Sequence, residues 1–249
     1  MGIDSGLPDF RGPGGFWAVY PALAKARMDF TRIANPSAFA SDPELAWGFY
    51  GHRLQLYRDT LPHAGFPRLL ALGQQLPHGL RVFTSNVDGQ FQKADFSTAS
   101  VCEVHGSIHH LQCTENCKGR IWPADGFLPR VDTSSCRLLN ELPRCPDCGA
   151  LARPNILMFG DWGWEERRTA AQFQALQDRL KTVERLLCIE LGAGEEIPTV
   201  RHFSERHAWR LIRINPGAPQ VPDQQRGVGL AMGALAGLDA LLGKTSDSR

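Results

Sequence analysis

Four short apolar runs, each closed by Gly, Asn or Asp, constrain the fold of this chain more than any other feature of its sequence. They read LRVFTSN, ARPNILMFGD, ERLLCIELGAG and AWRLIRINPG, at residues 80–86, 152–161, 184–194 and 208–217. Their apolar residues are continuous rather than alternating, which is typical of strands buried on both faces of a parallel sheet. We therefore predict four buried strands.

Helical patterns lie between these runs. Residues 164–183 carry apolar side chains three and four apart, which predicts a crossover helix between two parallel strands. A second helix is predicted over 62–76, with Pro67 in its first turn. The GVGLAMG stretch at 227–233 resembles a dinucleotide fingerprint, but we assign it to a packed terminal helix. The alternation predicts an α/β fold with a doubly wound, Rossmann-like parallel sheet that binds ligands beyond the carboxyl ends of its strands.

Two stretches interrupt this alternation. One is rich in Cys, Pro and Gly, and the other is amphipathic with three aromatic residues close together. Because 43% of the 249 residues are hydrophobic, the chain can bury one large core. We predict a single domain over 1–249, divided into a Rossmann-like part at 1–30, 62–108 and 153–249, a helical module at 31–61 and a cysteine-rich module at 109–152.

Four of the seven cysteines form two close pairs, Cys113 with Cys117 and Cys145 with Cys148. Tetrahedral Zn²⁺ takes four thiolates from two such turns. The alternative of four unrelated thiols is weaker, because CPDCG is the kind of sequence that forms a metal-binding turn. Four thiolates close the coordination shell, so we predict one structural Zn²⁺ in a zinc module, with any catalysis elsewhere.

The charge balance excludes some partners. Lys and Arg number 27 against 26 Asp and Glu, which leaves no basic footprint for nucleic acid. No run approaches the roughly 20 apolar residues of a membrane span, and no signal peptide is evident at the start. We therefore expect a cytoplasmic protein that binds neither nucleic acid nor membranes.

Polar residues follow the predicted strands. Asn86 and Asp88 come after the first strand, and His105 lies in the EVHG stretch further on. An amide, a carboxylate and an imidazole at the mouth of a sheet form a candidate catalytic cluster, in which histidine is suited to accept a proton near neutral pH. The alternative is that Asn86 and Asp88 cap a turn and that His105 is structural.

Taken in order, these stretches resemble the motifs of the sirtuins, the NAD-dependent protein deacylases. SGLPDFRG is similar to the family's cofactor loop, TSNVDG to its TQNID motif and EVHG to its catalytic histidine motif. RPNILMFGD resembles its substrate strand, LGAGEE stands in place of its GTS motif and IRIN resembles its ribose-binding strand. The resemblance covers nearly the whole chain.

The resemblance implies a role for each matching residue. His105 would be the general base, with Asn86 and Asp88 lining the nicotinamide pocket. Met158, Phe159 and Gly160 would lie at the strand edge that pairs with an extended acyl-lysine substrate. The residues implied to contact NAD are Asp9, Phe10, Arg11, Trp17, Ser85, Asn86, Val87, Asp88, Gly192, Ala193, Gly194 and Asn215.

A narrower resemblance concerns the acyl group. The FYGHR stretch is similar to the Tyr-x-x-Arg signature of sirtuins that remove succinyl and malonyl groups, with Tyr50 and Arg53 as the pair. Positions i and i+3 of a helix share a face, and a guanidinium beside a phenol suits an acyl carboxylate. The alternative is that Tyr50 packs in the helical module and Arg53 pairs with an acid.

Several positions depart from the family pattern. Ser85 replaces Gln, Ala193 and Gly194 replace Thr and Ser, Asp95 stands for Gly and Asp161 for Glu. These changes keep two alternatives to an NAD-dependent lysine deacylase open. The first is mono-ADP-ribosyl transfer or NAD hydrolysis on the same scaffold, and the second is a non-catalytic, zinc-stapled module that binds acyl-lysine or NAD.

The start of the sequence raises a last expectation. In the family, a strand and a Gly-Ala-Gly turn precede the cofactor loop, and Met1 stands where the residue after that turn belongs. We expect either a longer natural chain or a form that binds NAD poorly, and about 20 upstream residues to raise both stability and NAD affinity.

Overall fold

The computed structural model describes residues 1–8 and 15–243. Its helices within those residues are α1 Gly15–Val19, α2 Pro21–Lys25, α3 Phe30–Ile33, α4 Pro36–Ser41, α5 Pro43–Asp59, α6 Gly65–Gln75, α7 Gln90–Lys93, α8 Arg167–Leu180, α9 Thr199–His207 and α10 Ala234–Leu242. Its strands are β1 Val82–Thr84, β2 Val101–Glu103, β3 Gly106–Cys113, β4 Ile121–Pro123, β5 Val131–Asp132, β6 Arg137–Leu138, β7 Ala152–Ile156, β8 Leu187–Leu191, β9 Arg210–Ile214 and β10 Gly227–Leu230. None of these helices is long and apolar enough to cross a bilayer.

The parallel strands form two groups. β1 pairs with β2, and β9 lies between β8 and β10 in a three-stranded sheet. The helix α9 connects β8 to its parallel neighbour β9. Phe83 of β1 stacks on Phe203 of α9 with ring centroids 3.9 Å apart, which joins the two groups through their side chains. The α/β fold is thus confirmed, and Pro67 lies in the first turn of α6 as predicted.

Two predictions about these elements were wrong, one of strand direction and one of a helix. The run at 152–161 contributes β7, which pairs antiparallel with β3, so α8 does not link two parallel neighbours. All five β7 residues are buried, and burial on both faces produces the same continuous pattern whatever the direction of pairing. The GVGL stretch forms β10 rather than a helix. A methyl group at Gly229 would lie 2.0 Å from the carbonyl oxygen of Pro219, so glycine permits a close backbone approach there.

The helical segment packs around α5, which is buried along most of its length. Pro43 occupies its first turn, and the Asp42 side chain accepts a hydrogen bond from the Leu45 amide at 3.1 Å. Trp47 is fully buried and donates its indole N–H to the Ala152 carbonyl at 2.9 Å. This contact fixes α5 against β7, so the helix that carries Tyr50 and Arg53 has a defined position beside the antiparallel sheet.

The antiparallel sheet has the order β4-β3-β7 and joins the cysteine-rich segment to the rest of the fold. β3 begins at Gly106, directly after His105, and ends at Cys113. Its register with β7 shifts between Ser107 and Leu111, which marks a bulge. A single strand therefore connects the predicted catalytic histidine to the first predicted zinc ligand.

Candidate active site

A cavity of about 550 Å³ lies beyond the carboxyl ends of β1, β2 and β8. Such a position is expected for a ligand site in an open parallel α/β sheet. Ten of the residues predicted from sequence line it, namely Tyr50, Arg53, Ser85, Asn86, Val87, Asp88, His105, Met158, Phe159 and Gly192. The tertiary fold thus brings the predicted catalytic and acyl-binding residues together.

The turn after β1 is shaped by side-chain to backbone hydrogen bonds. Thr84 Oγ1 accepts from the Asn86 amide at 3.1 Å, and Asp88 Oδ1 accepts from the Gln90 amide at 3.0 Å. Asp88 therefore does cap a turn, and it lines the cavity as well, so the two interpretations of this residue are compatible.

Asp88 has an unusual electrostatic environment. Its side chain is only 8% exposed, and burial raises the pKa of the carboxyl. The Gln90 amide opposes this shift, while the nearby Glu103 carboxylate adds to it. The protonated carboxyl, which can donate a hydrogen bond, is therefore favoured here more than in water.

This shift predicts that Asp88→Asn stabilises the fold at high pH. Because the folded pKa lies above the unfolded value near 3.9, stability from this group is greatest at low pH and is lost as pH rises from about 4 through the raised pKa. We expect a higher urea midpoint for the variant at pH 8 and a difference that vanishes near pH 4. Hydrogen bonds from Ser135 and Ser134 lower the pKa of Asp132 to about 2, so Asp132→Asn should shift stability in the opposite direction at pH 8. A pH-independent effect of Asp88→Asn would contradict this account.

His105 follows β2 and is half-buried. Its carbonyl accepts from the Leu157 amide at 3.0 Å, and Thr199 Oγ1 lies 3.5 Å from its Nε2. The adjacent β2 is fixed to α8, because Glu103 forms an ion pair with Arg168 and its carbonyl accepts from Thr169 Oγ1. Thr199 was not singled out from the sequence, since nothing local to α9 shows that its first residue meets a histidine 94 positions earlier.

Tyr50 and Arg53 lie on α5, and both are buried while lining the cavity. Arg53 donates from Nε and Nη2 to the Tyr57 hydroxyl, at 3.1 and 2.6 Å. Tyr50 stacks on Phe39 at 5.6 Å between ring centroids. Tyr57 was not singled out from the sequence, although it lies one helical turn beyond Arg53, a spacing that places both residues on one face of the helix.

The predicted substrate edge requires a correction. β7 ends at Ile156, so Met158, Phe159 and Gly160 lie beyond the strand, in the loop and turn that follow it. The Phe159 amide donates to the Ala34 carbonyl at 2.9 Å and is not available to pair with a peptide. Met158 and Phe159 line the cavity through their side chains. The strand assignment failed because the apolar run continues past the point where Asp161 turns the backbone.

Asp161 organises that turn. It accepts two hydrogen bonds from Arg153, at 2.7 and 2.9 Å, and both side chains are almost completely buried. The amides of Met158 and Gly163 also donate to its carboxylate, at 3.3 and 3.1 Å. The shorter side chain at this position therefore has a structural role that the sequence did not reveal.

The residues after β8 and β9 that are implied to contact NAD divide into two sets. Gly192 directly follows β8 and lines the cavity, while Ala193, Gly194 and Asn215 are not among its lining residues. Asn215 Nδ2 and Arg201 Nε each donate to the Ala193 carbonyl at 3.0 Å. These bonds connect the loop after β8 to the loop after β9, and Arg201 was not anticipated from the sequence.

The predicted cofactor loop is described only in part. Asp9, Phe10 and Arg11 lie outside the described residues. Trp17 is 49% exposed, donates to the Met28 carbonyl at 3.3 Å and is not among the cavity-lining residues. Its predicted contact with a cofactor therefore stays a prediction.

The four predicted metal ligands converge. Their sulfur atoms all lie within 4.8 Å of one another, with Cys113 Sγ 3.6 Å from Cys148 Sγ and Cys117 Sγ 3.7 Å from Cys145 Sγ. Tetrahedral Zn–S bonds of about 2.3 Å place sulfurs about 3.8 Å apart, so the four thiolates fit zinc. The Gly149 amide donates to the Cys145 carbonyl at 2.9 Å and closes the second ligand turn.

Comparison with known proteins is consistent with this arrangement. A family model described as Sir2 family matches residues 1–193. The NAD-dependent protein deacylase of Pyrococcus furiosus is 35% identical over 173 residues, which cover 69% of this chain and 62% of that protein, less than two thirds of its length. The mitochondrial NAD-dependent protein deacylase sirtuin-5 of Danio rerio is 36% identical over 229 residues, which cover 86% of this chain and 69% of that protein.

The fold gives an independent comparison. A solved structure described as a Sir2 homolog–NAD complex superimposes with a TM-score of 0.68 at 24% identity, and the match covers 96% of this chain and 83% of that one. The family motifs therefore occur in the order and on the fold that the resemblance implied. This chain belongs to the Sir2 family.

Proposed function

We propose that the chain is an NAD-dependent protein-lysine deacylase. The observation that carries the proposal is one cavity that holds His105, Asn86 and Asp88 together with the Tyr50 and Arg53 side chains. The relatives in Pyrococcus furiosus and Danio rerio, both named NAD-dependent protein deacylases, support it.

The described residues fit NAD at this cavity. Gly192 directly follows β8 with a φ of 66°, which favours glycine, and because glycine has no side chain a ligand can approach the backbone there. Asp88 and Asn86 offer the carboxyl and amide groups that can hydrogen-bond to a carboxamide. When bound, NAD would supply a ribose carbon that becomes electrophilic as its bond to nicotinamide breaks.

The protein residues have separate tasks in this proposal. His105 would act as the general base for a ribose hydroxyl of the bound cofactor, a role suited to an imidazole near neutral pH. Asp88, protonated more readily than an exposed carboxyl, orients the nicotinamide amide. Met158 and Phe159 line the same cavity and offer apolar groups against which an acyl-lysine stem would pack.

One experiment separates the alternatives. The protein is incubated with labelled NAD and a succinyl-lysine peptide, and His105→Ala serves as the control for background reaction. The proposal expects nicotinamide release, loss of the acyl group from the peptide and label in an acylated small molecule. Label on protein without deacylation would indicate ADP-ribosyl transfer, and an absence of nicotinamide release would indicate a binding module. Either result contradicts a deacylase.

We further propose a preference for acyl groups that end in a carboxylate. Arg53 is a buried cation beside the Phe30, Phe49 and Tyr57 rings, at 5.8, 5.2 and 5.5 Å from their centroids. A cation shielded from water interacts more strongly with an entering carboxylate than an exposed one does. An acetyl group offers no such partner, so Arg53 should discriminate between the two substrates.

Replacing Arg53 with Met tests this preference. We expect kcat/KM for a succinyl peptide to fall about 100-fold, because a charge-assisted bidentate contact is lost, with little change for the acetyl peptide. Arg58→Met is the matched control, since Arg58 lies on the same helix but donates to the Ala124 and Phe127 carbonyls. Equal losses on both peptides would mean that Arg53 is structural.

A further inference from the structure

We propose that Tyr57 is a positioning residue that orients Arg53 for the carboxylate of an acidic acyl group, an inference that rests on the proposed function. Tyr57 lines the same cavity, is 4% exposed and lies four residues after Arg53 on α5. Residues at this spacing lie on one face of a helix. The sequence signature of Tyr50 and Arg53 does not include it.

The hydrogen bonds define which edge of the guanidinium Tyr57 holds. Both Nε and Nη2 donate to its hydroxyl oxygen, at 3.1 and 2.6 Å. A guanidinium presents two edges that can each donate a pair of parallel hydrogen bonds, one formed by Nε and Nη2 and the other by Nη1 and Nη2. Tyr57 therefore holds the edge formed by Nε and Nη2, which sets the orientation of the whole guanidinium plane.

Aromatic rings restrict the remaining freedom of Arg53. Its central carbon lies 5.8 Å from the Phe30 ring centroid, 5.2 Å from that of Phe49 and 5.5 Å from that of Tyr57. These contacts limit tilting of the guanidinium, whereas only a directional hydrogen bond limits its rotation within its own plane. The Tyr57 hydroxyl supplies that restraint, and its ring would remain if the hydroxyl were removed.

Holding Arg53 in one orientation affects the affinity only of a ligand that forms an ion pair with it. A flexible arginine must lose side-chain freedom on binding a carboxylate, while an arginine already held in place loses less. An acetyl group makes no ion pair, so the orientation of Arg53 should not affect its binding. The proposal therefore predicts an effect on selectivity, which a general packing role would not produce.

The test measures Kd by calorimetry for two peptides of identical sequence, one with succinyl-lysine and one with acetyl-lysine. The proteins are the unmodified chain, Tyr57→Phe, Arg53→Met and the double variant. We expect Tyr57→Phe to weaken succinyl-peptide binding about 10-fold, as for one hydrogen bond to a charged group, and to change acetyl-peptide binding less than twofold. In the Arg53→Met background, Tyr57→Phe should have no further effect on the succinyl peptide.

Thr60→Val is the matched control. Its hydroxyl donates to the Leu56 carbonyl at 2.8 Å at the end of the same helix, so the variant removes one α5 hydroxyl that is not among the groups lining the cavity. It should leave both Kd values unchanged. Thermal unfolding of every variant identifies any that fails to fold, and for Tyr57 the variant Tyr57→Leu, which also has no hydrogen-bonding group, then replaces Tyr57→Phe with the same expected result.

The possible outcomes distinguish the role of Tyr57 from the acidic-acyl preference on which it rests. If Arg53→Met removes the succinyl preference but Tyr57→Phe does not, or if the two effects simply add, the role of Tyr57 is refuted while the acyl preference stands. If Arg53→Met leaves the ratio of the two Kd values unchanged, the acidic-acyl proposal itself is refuted. Loss of succinyl selectivity in both single variants, with no further loss in the double variant, supports the inference.

Discussion

Replacing Cys145 with Ser should abolish zinc binding and unfold the cysteine-rich segment. The four sulfurs already stand at tetrahedral spacing, and structural Zn²⁺ in small modules contributes about 10–16 kcal/mol of apparent binding energy that is coupled to folding. Two of the strands in this segment, β5 and β6, are only two residues long and add little pairing of their own. We expect metal analysis to find one zinc per chain, lost in the variant together with a large drop in Tm.

The damage should extend to the cavity. Cys113 ends β3, and the residue before the start of that strand is His105. Loss of the metal therefore loosens the strand that positions the predicted general base. Cys188→Ser is the matched control, since this partly buried thiol lies on β8 and outside the cluster. Retention of zinc and Tm in Cys145→Ser would show that the four thiols are not a metal site.

Asp161→Asn should be the most destabilising single change near the cavity. Arg153 and Asp161 have side chains 3% and 0% exposed, and the carboxylate also accepts from the Met158 and Gly163 amides. Removing one partner leaves a buried charge without its counter-ion, which costs about 3–5 kcal/mol. We expect a matching fall in the free energy of unfolding by urea and weaker binding of acyl peptide, because Met158 and Phe159 lie on this turn.

Two comparisons isolate the cause. Asp178→Asn removes the carboxylate of an exposed ion pair with Lys181 and should not measurably change stability. A double variant, Arg153→Met with Asp161→Leu, replaces the buried pair by apolar groups and should recover part of the loss. If Asp161→Asn is as harmless as Asp178→Asn, the buried pair does not support the turn.

Local sequence patterns were sufficient to predict the elements that are stabilised by contacts between residues close together in the chain. Helical spacing predicted α6, α8 and the shared face of Tyr50 and Arg53, because side chains three and four apart meet on any helix. Paired cysteines predicted the metal cluster, since each pair needs only one tight turn. Strand ends rich in polar residues predicted which side chains would face the cavity, because parallel strands open at a common edge.

Local sequence patterns did not predict the elements whose structure depends on a partner distant in the sequence. β7 has the same apolar pattern whether it pairs parallel or antiparallel, and only β3 decides its direction. The small residues of GVGL favour a packed helix when they are considered alone. They form a strand because β9 pairs with them and the backbone of Pro219 lies close to Gly229. Phe159 was assigned to a strand because its hydrogen-bond partner could not be predicted. Its amide donates to the carbonyl of Ala34, which is far away in the sequence.

Motif order and residue type are properties of the chain, so they were enough to identify the Sir2 family, the four-cysteine cluster and the chemical groups of the candidate site. Only the tertiary structure decided that Tyr57 holds Arg53, that Asp161 neutralises Arg153 and that burial raises the pKa of Asp88. The reason is physical: burial and hydrogen bonding depend on which surfaces meet after folding. Some of those surfaces come from segments far apart in the chain, such as Trp47 and Ala152, which are 105 residues apart, and no local pattern specifies them.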